Sequence, residues 1–301
     1  PESERYSIGR MAKDFSGEDS PELRFRVLRI RATANNTDIN LLKLYGTVKE
    51  VAENDLSELT GEAAGSLPEW KGTVEIQEVR SEAGFVHPGI GITKSELENV
   101  REQVKNGAEP WLGYYTAFAQ SAYASRNYSC GNDDGTGKPR DDNYDSQGMK
   151  DRAAADAERA FTQAVMYVIT GDEVYRSNAM RILRVWEQMD PAKYSYFVDA
   201  HIHTGYGLYR MIQAAEIMRY TNCPSEEWAW TDEDTAKFTA NVVDPAVNTF
   251  MEFNDKFMNQ HSFPLYGTLA AAIFKDDRAK YEEKVEWTTV NSTAPDSYRT
   301  G

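Results

Sequence analysis

The chain has 301 residues, of which 41% are hydrophobic, 12% aromatic and 27% charged. This is the composition of a globular protein, so a wholly disordered or collagen-like chain is excluded. The 33 Lys and Arg residues against 48 Asp and Glu residues give a net charge of −15. Because nucleic-acid-binding proteins need a basic surface, this charge argues against nucleic acid as a partner. No run of about 18 apolar residues occurs, so we expect no membrane span.

The N-terminal part of the sequence has the pattern of β-structure. Residues 24–31 alternate basic and apolar side chains, which is the period-two pattern of a half-buried strand. Residues 40–49 and 73–80 predict two more strands, and the acidic, Ser- and Gly-containing segment 52–69 predicts a loop or linker.

From residue 86 onward the pattern is helical. Thr93 followed by Glu96 forms a capping box before an apolar-periodic segment. Six later helices are predicted at 151–170, 173–189, 200–221, 233–257 with a break at Pro245, 261–275 and 277–288. Short connections between successive helices indicate stacked antiparallel hairpins. The sequence therefore predicts a mainly α fold with a β-rich portion over 1–50, a linker with a strand over 51–85, and a helical domain over 86–301.

Four segments of the helical part carry a resemblance to a known family. They are His87-Pro88-Gly89-Ile90, the stretch 167–175, the stretch 207–220, and Asn259-Gln260-His261-Ser262 with the following 273–281. Together they resemble the alginate-lyase superfamily of polysaccharide lyases. The resemblance implies an incomplete (α/α) toroid over 86–301 that is truncated at its end, so we expect the chain to be a segment of a longer protein.

The same resemblance implies an activity. It implies β-elimination on a uronic-acid polysaccharide or oligosaccharide by a secreted or periplasmic enzyme that needs no metal and no cofactor. Separately, residues 24–48 are similar to the closing strands of a discoidin-like (F5/8 type C) galactose-binding β-sandwich.

The chemistry of elimination fits the residues at 259–261. Removing the C5 proton of a uronate places charge on the adjacent carboxylate, which must be neutralised or hydrogen-bonded. Asn259 or Gln260 supplies an amide for this role, and His261 is a candidate neutraliser or base, at a predicted helix start that favours an anion. A general acid must protonate the leaving 4-oxygen, and Tyr206, Tyr209 and Tyr266 are the candidates.

Other residues are candidates for contacting the substrate. His201 and His203 stand at the start of the helix predicted over 200–221, where they could contact sugar or belong to a polar turn. Their i,i+2 spacing separates them on a helix, but in an extended chain before the helix they would share a side and could bind a metal together with Asp199. The loop 127–148 and its borders contribute residue types that pair with carboxylates and hydroxyls, and these are Arg126, Asn127 and Arg140. Tyr209 is a further candidate for substrate binding.

Two other functions remain open from the sequence. A glycoside hydrolase on the same fold would need two carboxylates that flank a cleft, and a non-catalytic glycan-binding protein would keep the aromatic and amide residues. Cys130 and Cys223 could form one disulfide or remain as two thiols.

Overall fold

A computed structural model describes residues 69–256 and 258–294, and these residues all belong to one compact unit. They form a mainly α structure, as the sequence predicts, with one β-hairpin and eight helices in the described part of the chain. The strands are β1 (Val79–Arg80) and β2 (Val86–His87). The helices are α1 (Lys94–Lys105), α2 (Trp111–Ala119), α3 (Gln147–Thr170), α4 (Glu173–Trp186), α5 (Ala200–Arg219), α6 (Asp232–Phe238, continuing through Thr239–Val243 to Asp244–Phe250), α7 (Asn259–Phe274) and α8 (Arg278–Thr289). The strands predicted at 24–31 and 40–49, and the sandwich resemblance, lie outside the described residues.

The segment before β1 lies against the helices. Val74 and Ile76 are 4% and 1% exposed, and the backbone oxygen of Val74 accepts a 2.7 Å hydrogen bond from Arg101 of α1. Of the strand predicted at 73–80, only Val79–Arg80 pairs in a ladder, antiparallel to β2, while Ile76 forms a single bridge with Thr221. The reason is packing: the apolar side chains that predict a strand are buried against helices instead of in a sheet.

Consecutive helices pair as antiparallel hairpins, as the short connections predict. In α3 and α4, Asp156 meets Trp186 at one end and Gln163 meets Asn178 nearer the other. In α7 and α8, His261 near the start of α7 contacts Trp287 near the end of α8. Helix α6 runs opposite to α7, because Phe238 packs on Phe274 while Met251 lies beside Gly267.

The first helices of these hairpins, α3, α5 and α7, run parallel to one another. Along α3 and α5, Phe161 meets Arg210 at 4.5 Å, and Tyr167 contacts the backbone just beyond α5. Along α5 and α7, ring contacts occur in the same order in both helices, from His203 with Phe263 to Arg219 with Phe274. The N-terminal ends of three helices therefore lie at the same end of the unit.

Local sequence signals account for the start of α1, the end of α3 and the start of α4. Thr93 and Glu96 form the predicted capping box at α1. Gly171 ends α3 with φ of 70°, a conformation that glycine adopts without strain. A Cβ atom at Gly171 would also overlap the backbone of Gly72. Asp172 then caps α4 by accepting from the backbone N–H of Val174 at 3.1 Å.

Helix α6 differs from the prediction. The sequence predicts a helix over 233–257 that breaks at Pro245, whereas the helix continues past Pro245 and ends at Phe250. The chain accommodates the proline through a π-helical turn over Thr239–Val243 immediately before it. Because Pro245 has no backbone N–H, it offers no donor to the carbonyl oxygen of Asn241 four residues earlier, and that oxygen accepts a 2.8 Å hydrogen bond from the hydroxyl of Tyr194.

Candidate functional site

A pocket of about 260 Å³ lies at the N-terminal ends of α3, α5 and α7. It is lined by Lys150, Asp151 and Ala154 of α3, His203 and Tyr206 of α5, and Phe263 of α7. All six residues belong to the first two turns or so of their helices. The positive ends of three helix dipoles therefore lie near the pocket, which favours an anionic ligand.

The starts of α5 and α7 have unusual backbone conformations. Asp199 precedes α5 with φ 58° and ψ 19°, and Met258 precedes α7 with φ 54° and ψ −132°. Neither side chain accepts a hydrogen bond from the first turn of its helix. Non-glycine residues with positive φ carry strain, and such residues are frequent at ligand sites.

Tyr206 is held in a network of three side chains at the pocket. Its hydroxyl donates to Glu158 Oε1 at 2.6 Å, and Arg210 Nε lies 3.1 Å from both that carboxylate oxygen and the tyrosine oxygen. Burial, followed by the hydrogen bond to Glu158, raises the pKa of Tyr206 above its ordinary value. The hydroxyl is therefore protonated at neutral pH and fixed in direction.

An aromatic surface continues from the pocket along α5 and α7. The ring of Phe263 lies 5.9 Å from His203 and 6.4 Å from Tyr266, whose ring is in turn 5.9 Å from Tyr209. Tyr266 is 52% exposed. The hydroxyl of Tyr209 accepts a 2.9 Å hydrogen bond from Gln213, and burial raises the pKa of Tyr209.

Three of the six candidate catalytic residues lie at the start of α7, where the sequence predicts a helix start. Asn259 is exposed and lies one turn before Phe263, on the same side of the helix as the pocket wall. Gln260 is half-buried. His261 faces α8 instead: its Nε2 donates to the carbonyl oxygen of Trp287 at 2.9 Å.

The contact with Trp287 fixes the tautomer of a neutral His261. A carbonyl oxygen only accepts hydrogen bonds, so Nε2 carries the proton and Nδ1 carries the free lone pair. The Nδ1 atom is buried and has no hydrogen-bond partner. The Nδ1 lone pair of His261 is thus free but buried, and His261 is not among the residues that line the pocket.

The two histidines of α5 point to different sides of the helix. His203 is exposed at the pocket, whereas His201 is 3% exposed and its Nδ1 lies 2.7 Å from the hydroxyl of Tyr196. Burial, together with the charge of Lys256, lowers the pKa of His201. Because helix α5 begins at Ala200, the two imidazoles are separated by 200° around the helix axis. No group of three His, Cys, Asp or Glu side chains in the described ranges is arranged to bind a metal ion.

The predicted contact residues of the loop lie elsewhere. Arg126 forms an ion pair with Asp172 at the start of α4. Asn127 is exposed, and the Arg140 guanidinium contacts the backbone oxygen of Asp133 at 3.4 Å. The loop is attached to α3 by Asp156, which is 200° around the helix from the pocket residue Ala154. The structure thus brings Tyr206, Tyr209, Tyr266, His203 and Asn259 to one side, and leaves the loop residues on another.

Sequence reasoning missed the residues of α3 that form the pocket wall. Lys150, Asp151 and Glu158 belong to an amphipathic helix in which charged residues are ordinary. Tyr206 and Arg210 are four residues apart on α5, a spacing that predicts contact. The carboxylate that both contact belongs to Glu158 of α3, which is 48 residues before Tyr206 in the sequence. Only the packing of parallel α3 and α5 reveals it.

The cysteines and the hydropathy of the helices settle two smaller points. Cys130 and Cys223 are both free thiols: Cys130 donates to Asp156 at 3.2 Å and Cys223 to the backbone oxygen of Ser225 at 3.0 Å. Over residues 69–256 and 258–294, no helix combines the length and the apolar character needed to cross a bilayer.

Comparison of the sequence with protein-family models and with curated proteins finds no match.

Proposed function

We propose that this chain contains the catalytic helical domain of a secreted or periplasmic polysaccharide lyase that cleaves a uronic-acid polymer by β-elimination. In this proposal the hairpins α3–α4, α5–α6 and α7–α8 are part of an incomplete (α/α) toroid, whose inner helices are α3, α5 and α7. The parallel course of these three helices, with an antiparallel partner following each, supports that architecture.

The observation that carries the proposal is the position of the pocket. It lies at the N-terminal ends of three parallel helices and contains a histidine, a tyrosine and a lysine. Helix N-termini stabilise the carboxylate of a bound uronate in the ground state and still more as charge accumulates on it during removal of the C5 proton. This offsets the overall charge of −15, because a local field and not the net charge acts on a bound group.

Tyr206 fits the role of general acid. Its hydroxyl keeps its proton at neutral pH and is held at the pocket by Glu158 and Arg210, and it would turn from Glu158 to the substrate to donate that proton. In the elimination, a base takes the C5 proton, the C4–O bond breaks as the C4=C5 double bond forms, and the proton of Tyr206 goes to the departing 4-oxygen.

His203 fits the role of base. It is an exposed imidazole one turn from Tyr206 on the same side of α5, so the two side chains can reach neighbouring atoms of one sugar. His261 stays a second candidate, since its Nδ1 is a free lone pair. Its position against α8 means that it would reach substrate only after a change in the side chain or in the start of α7.

Lys150 and Asn259 are positioned to neutralise the uronate carboxylate. Lys150 lines the pocket, and its ammonium lies 3.2 Å from the exposed carboxylate of Asp151. Asn259 offers its amide from the first turn of α7, on the side of the helix that carries Phe263. An amide and an ammonium stabilise the developing charge without being consumed.

The direct experiment is a product assay. The 301-residue protein is incubated with alginate, glucuronan, unsulfated and sulfated glycosaminoglycans, ulvan and pectin. Ultraviolet absorbance reports the new C4=C5 double bond, and a parallel assay counts reducing ends. We expect absorbance and reducing ends to rise together on at least one polymer. Reducing ends without absorbance would contradict elimination.

That second outcome would favour a glycoside hydrolase. Asp151 and Glu158 lie seven residues apart on one side of α3, and both are next to the pocket. Their α-carbons are separated by about 10 Å along the helix axis, so a hydrolase would use them across a bound sugar. Binding without any product would favour the non-catalytic glycan-binding protein.

A further inference from the structure

The aromatic surface beside the pocket consists of Tyr209, Phe263 and Tyr266, and is called the platform below. The rings of Phe263 and Tyr266 are 6.4 Å apart, and those of Tyr266 and Tyr209 are 5.9 Å apart. These spacings are comparable to the length of one sugar residue in a glycan chain. Because Phe263 also lines the pocket, the half-exposed ring of Tyr266 lies about one sugar farther along. The apolar face of a pyranose stacks on such a ring.

The positively charged group beside the platform, Arg210, is already ion-paired. Arg210 lies 5.8 Å from the ring of Tyr209, but its Nε contacts Glu158 at 3.1 Å and its Nη1 donates to Gln213 at 2.9 Å. The amide of Gln213 in turn donates to the backbone oxygen of Ile90 and to the hydroxyl of Tyr209. The guanidinium of Arg210 is thus ion-paired with Glu158, so it offers no unpaired positive charge to a ligand on the platform.

A carboxylate on the platform would therefore lose water without gaining a partner. Burying an ion without compensation is costly. An uncharged sugar does not carry this cost. In the pocket the ammonium of Lys150 is likewise paired, with Asp151 at 3.2 Å, so the ends of three helices are what favour a carboxylate there.

We propose that the site selects a glycan in which a uronate is joined to an uncharged sugar. The uronate binds in the pocket and the uncharged sugar stacks on Tyr266. This inference rests on the proposed function. The substrate class is thus a mixed glycan of uronate and hexose or N-acetylhexosamine. A polymer made only of uronates would place a second carboxylate on the platform.

The test compares oligosaccharides of equal length that share the same uronate. Hyaluronan and unsulfated chondroitin oligosaccharides alternate glucuronate with an uncharged N-acetylhexosamine, while glucuronan oligosaccharides contain glucuronate alone. Calorimetric titration of the 301-residue protein should give at least one alternating glycan an affinity on the order of 10-fold higher than that of glucuronan. Tyr266→Ala should remove this preference, and Tyr266→Phe should keep it.

Tyr114→Ala is the matched control, because Tyr114 is a tyrosine on α2 that is 70% exposed. The Tyr114→Ala protein should bind the oligosaccharides like the wild type. The proposal is overturned if glucuronan binds as tightly as both alternating glycans, if neither alternating glycan binds, or if Tyr266→Ala keeps the preference. The ultraviolet product assay separates the two proposals. A binding preference without any double bond would refute elimination alone, whereas equally fast elimination of glucuronan would refute the platform alone.

Discussion

The imidazole of His87 lies 2.6 Å from the carboxylate of Glu216, through Nδ1 and Glu216 Oε1, and both side chains are almost completely buried. On the other side of the ring, Nε2 lies 3.1 Å from Asp276. The three residues come from β2, α5 and the turn between α7 and α8. A ring with a carboxylate on each side is an imidazolium, because carboxylates accept hydrogen bonds and both ring nitrogens then donate.

The first prediction concerns this ion pair and pH. Burial by itself would lower the pKa of His87, but the hydrogen bonds and charges of Glu216 and Asp276 outweigh it and raise the pKa. The stabilisation is thus complete below the unfolded value near 6.5 and is lost as the pH rises through the raised folded pKa. We expect His87→Gln to lower the free energy of unfolding by about 3 kcal/mol at pH 6, and by less at alkaline pH.

Urea denaturation at several pH values measures this difference. The exposed histidine variant His203→Gln is the control and should unfold like the wild type at each pH. A His87→Gln deficit that is constant from pH 6 to 10 would contradict the imidazolium assignment.

The second prediction concerns the buried carboxylate of Asp156. It accepts hydrogen bonds from the backbone N–H of Gly131 at 2.6 Å and of Asn132 at 3.0 Å, and from the indole of Trp186 at 3.1 Å. Asp156→Ala leaves these buried donors without acceptors, at about 1–3 kcal/mol each before relaxation. We expect a loss of at least about 3 kcal/mol in urea denaturation, and faster proteolysis within 127–145 in the folded state. The exposed Asp151→Ala on the same helix should change neither; an Asp156→Ala protein with wild-type stability would contradict this role.

The third prediction concerns the contact between α5 and α7. A Cβ atom at Gly205 would overlap the backbone oxygen of Phe263, so the two helices would have to separate. We expect Gly205→Ala to lower the free energy of unfolding by about 1–3 kcal/mol, as overpacking does. The control is Gly148→Ala in α3, where an added Cβ meets nothing within 4 Å and the better helix propensity of alanine should keep or slightly raise stability. Equal melting temperatures for the two variants would argue against this close crossing.

The fourth prediction concerns Glu187 at the end of α4. Burial, and then the charge of Asp234, raises the pKa of Glu187 to about 8. The folded state therefore binds this proton more tightly than the unfolded state, and the stabilisation present at acid pH is lost as the pH rises from about 4.5 through 8. Glu187→Gln should raise the free energy of unfolding above pH 8 by about 1 kcal/mol or more relative to the wild type. An unchanged difference between the two proteins from pH 5 to 9 would be inconsistent with the raised pKa.

The fold was more predictable from the sequence than the site. Helix starts have local causes, so the capping box of Thr93 and Glu96 and the break at Gly171 could be read directly. The burial of Ile76 against helices could not be predicted from the sequence, because an apolar alternating segment has the same pattern whether it packs in a sheet or against a helix. The π-helical turn before Pro245 could not be predicted either, because a proline within a helical pattern signals a break whether or not such a turn accommodates it.

The site depends on contacts between distant segments. Tyr206 was a candidate because tyrosine suits acid chemistry, but its partner Glu158 has no distinctive sequence setting. His201 and His203 are two residues apart, and whether they share a surface depends on where α5 begins. The family resemblance pointed to Asn259 and His261, of which the first lies on the pocket side of α7 and the second faces α8.

The most direct test of the proposed elimination is the rate of double-bond formation by Tyr206→Phe on the polymer that the wild type cleaves fastest. This variant keeps the ring in the pocket and removes only the hydroxyl that Glu158 and Arg210 hold. Tyr196→Phe is the control, because it removes a hydroxyl that contacts His201 outside the pocket. We predict that Tyr206→Phe slows elimination by about 100-fold or more, the scale of general acid catalysis, with folding intact and Tyr196→Phe close to the wild type. A Tyr206→Phe protein that forms the double bond at the wild-type rate would contradict the assignment of this pocket as the catalytic site.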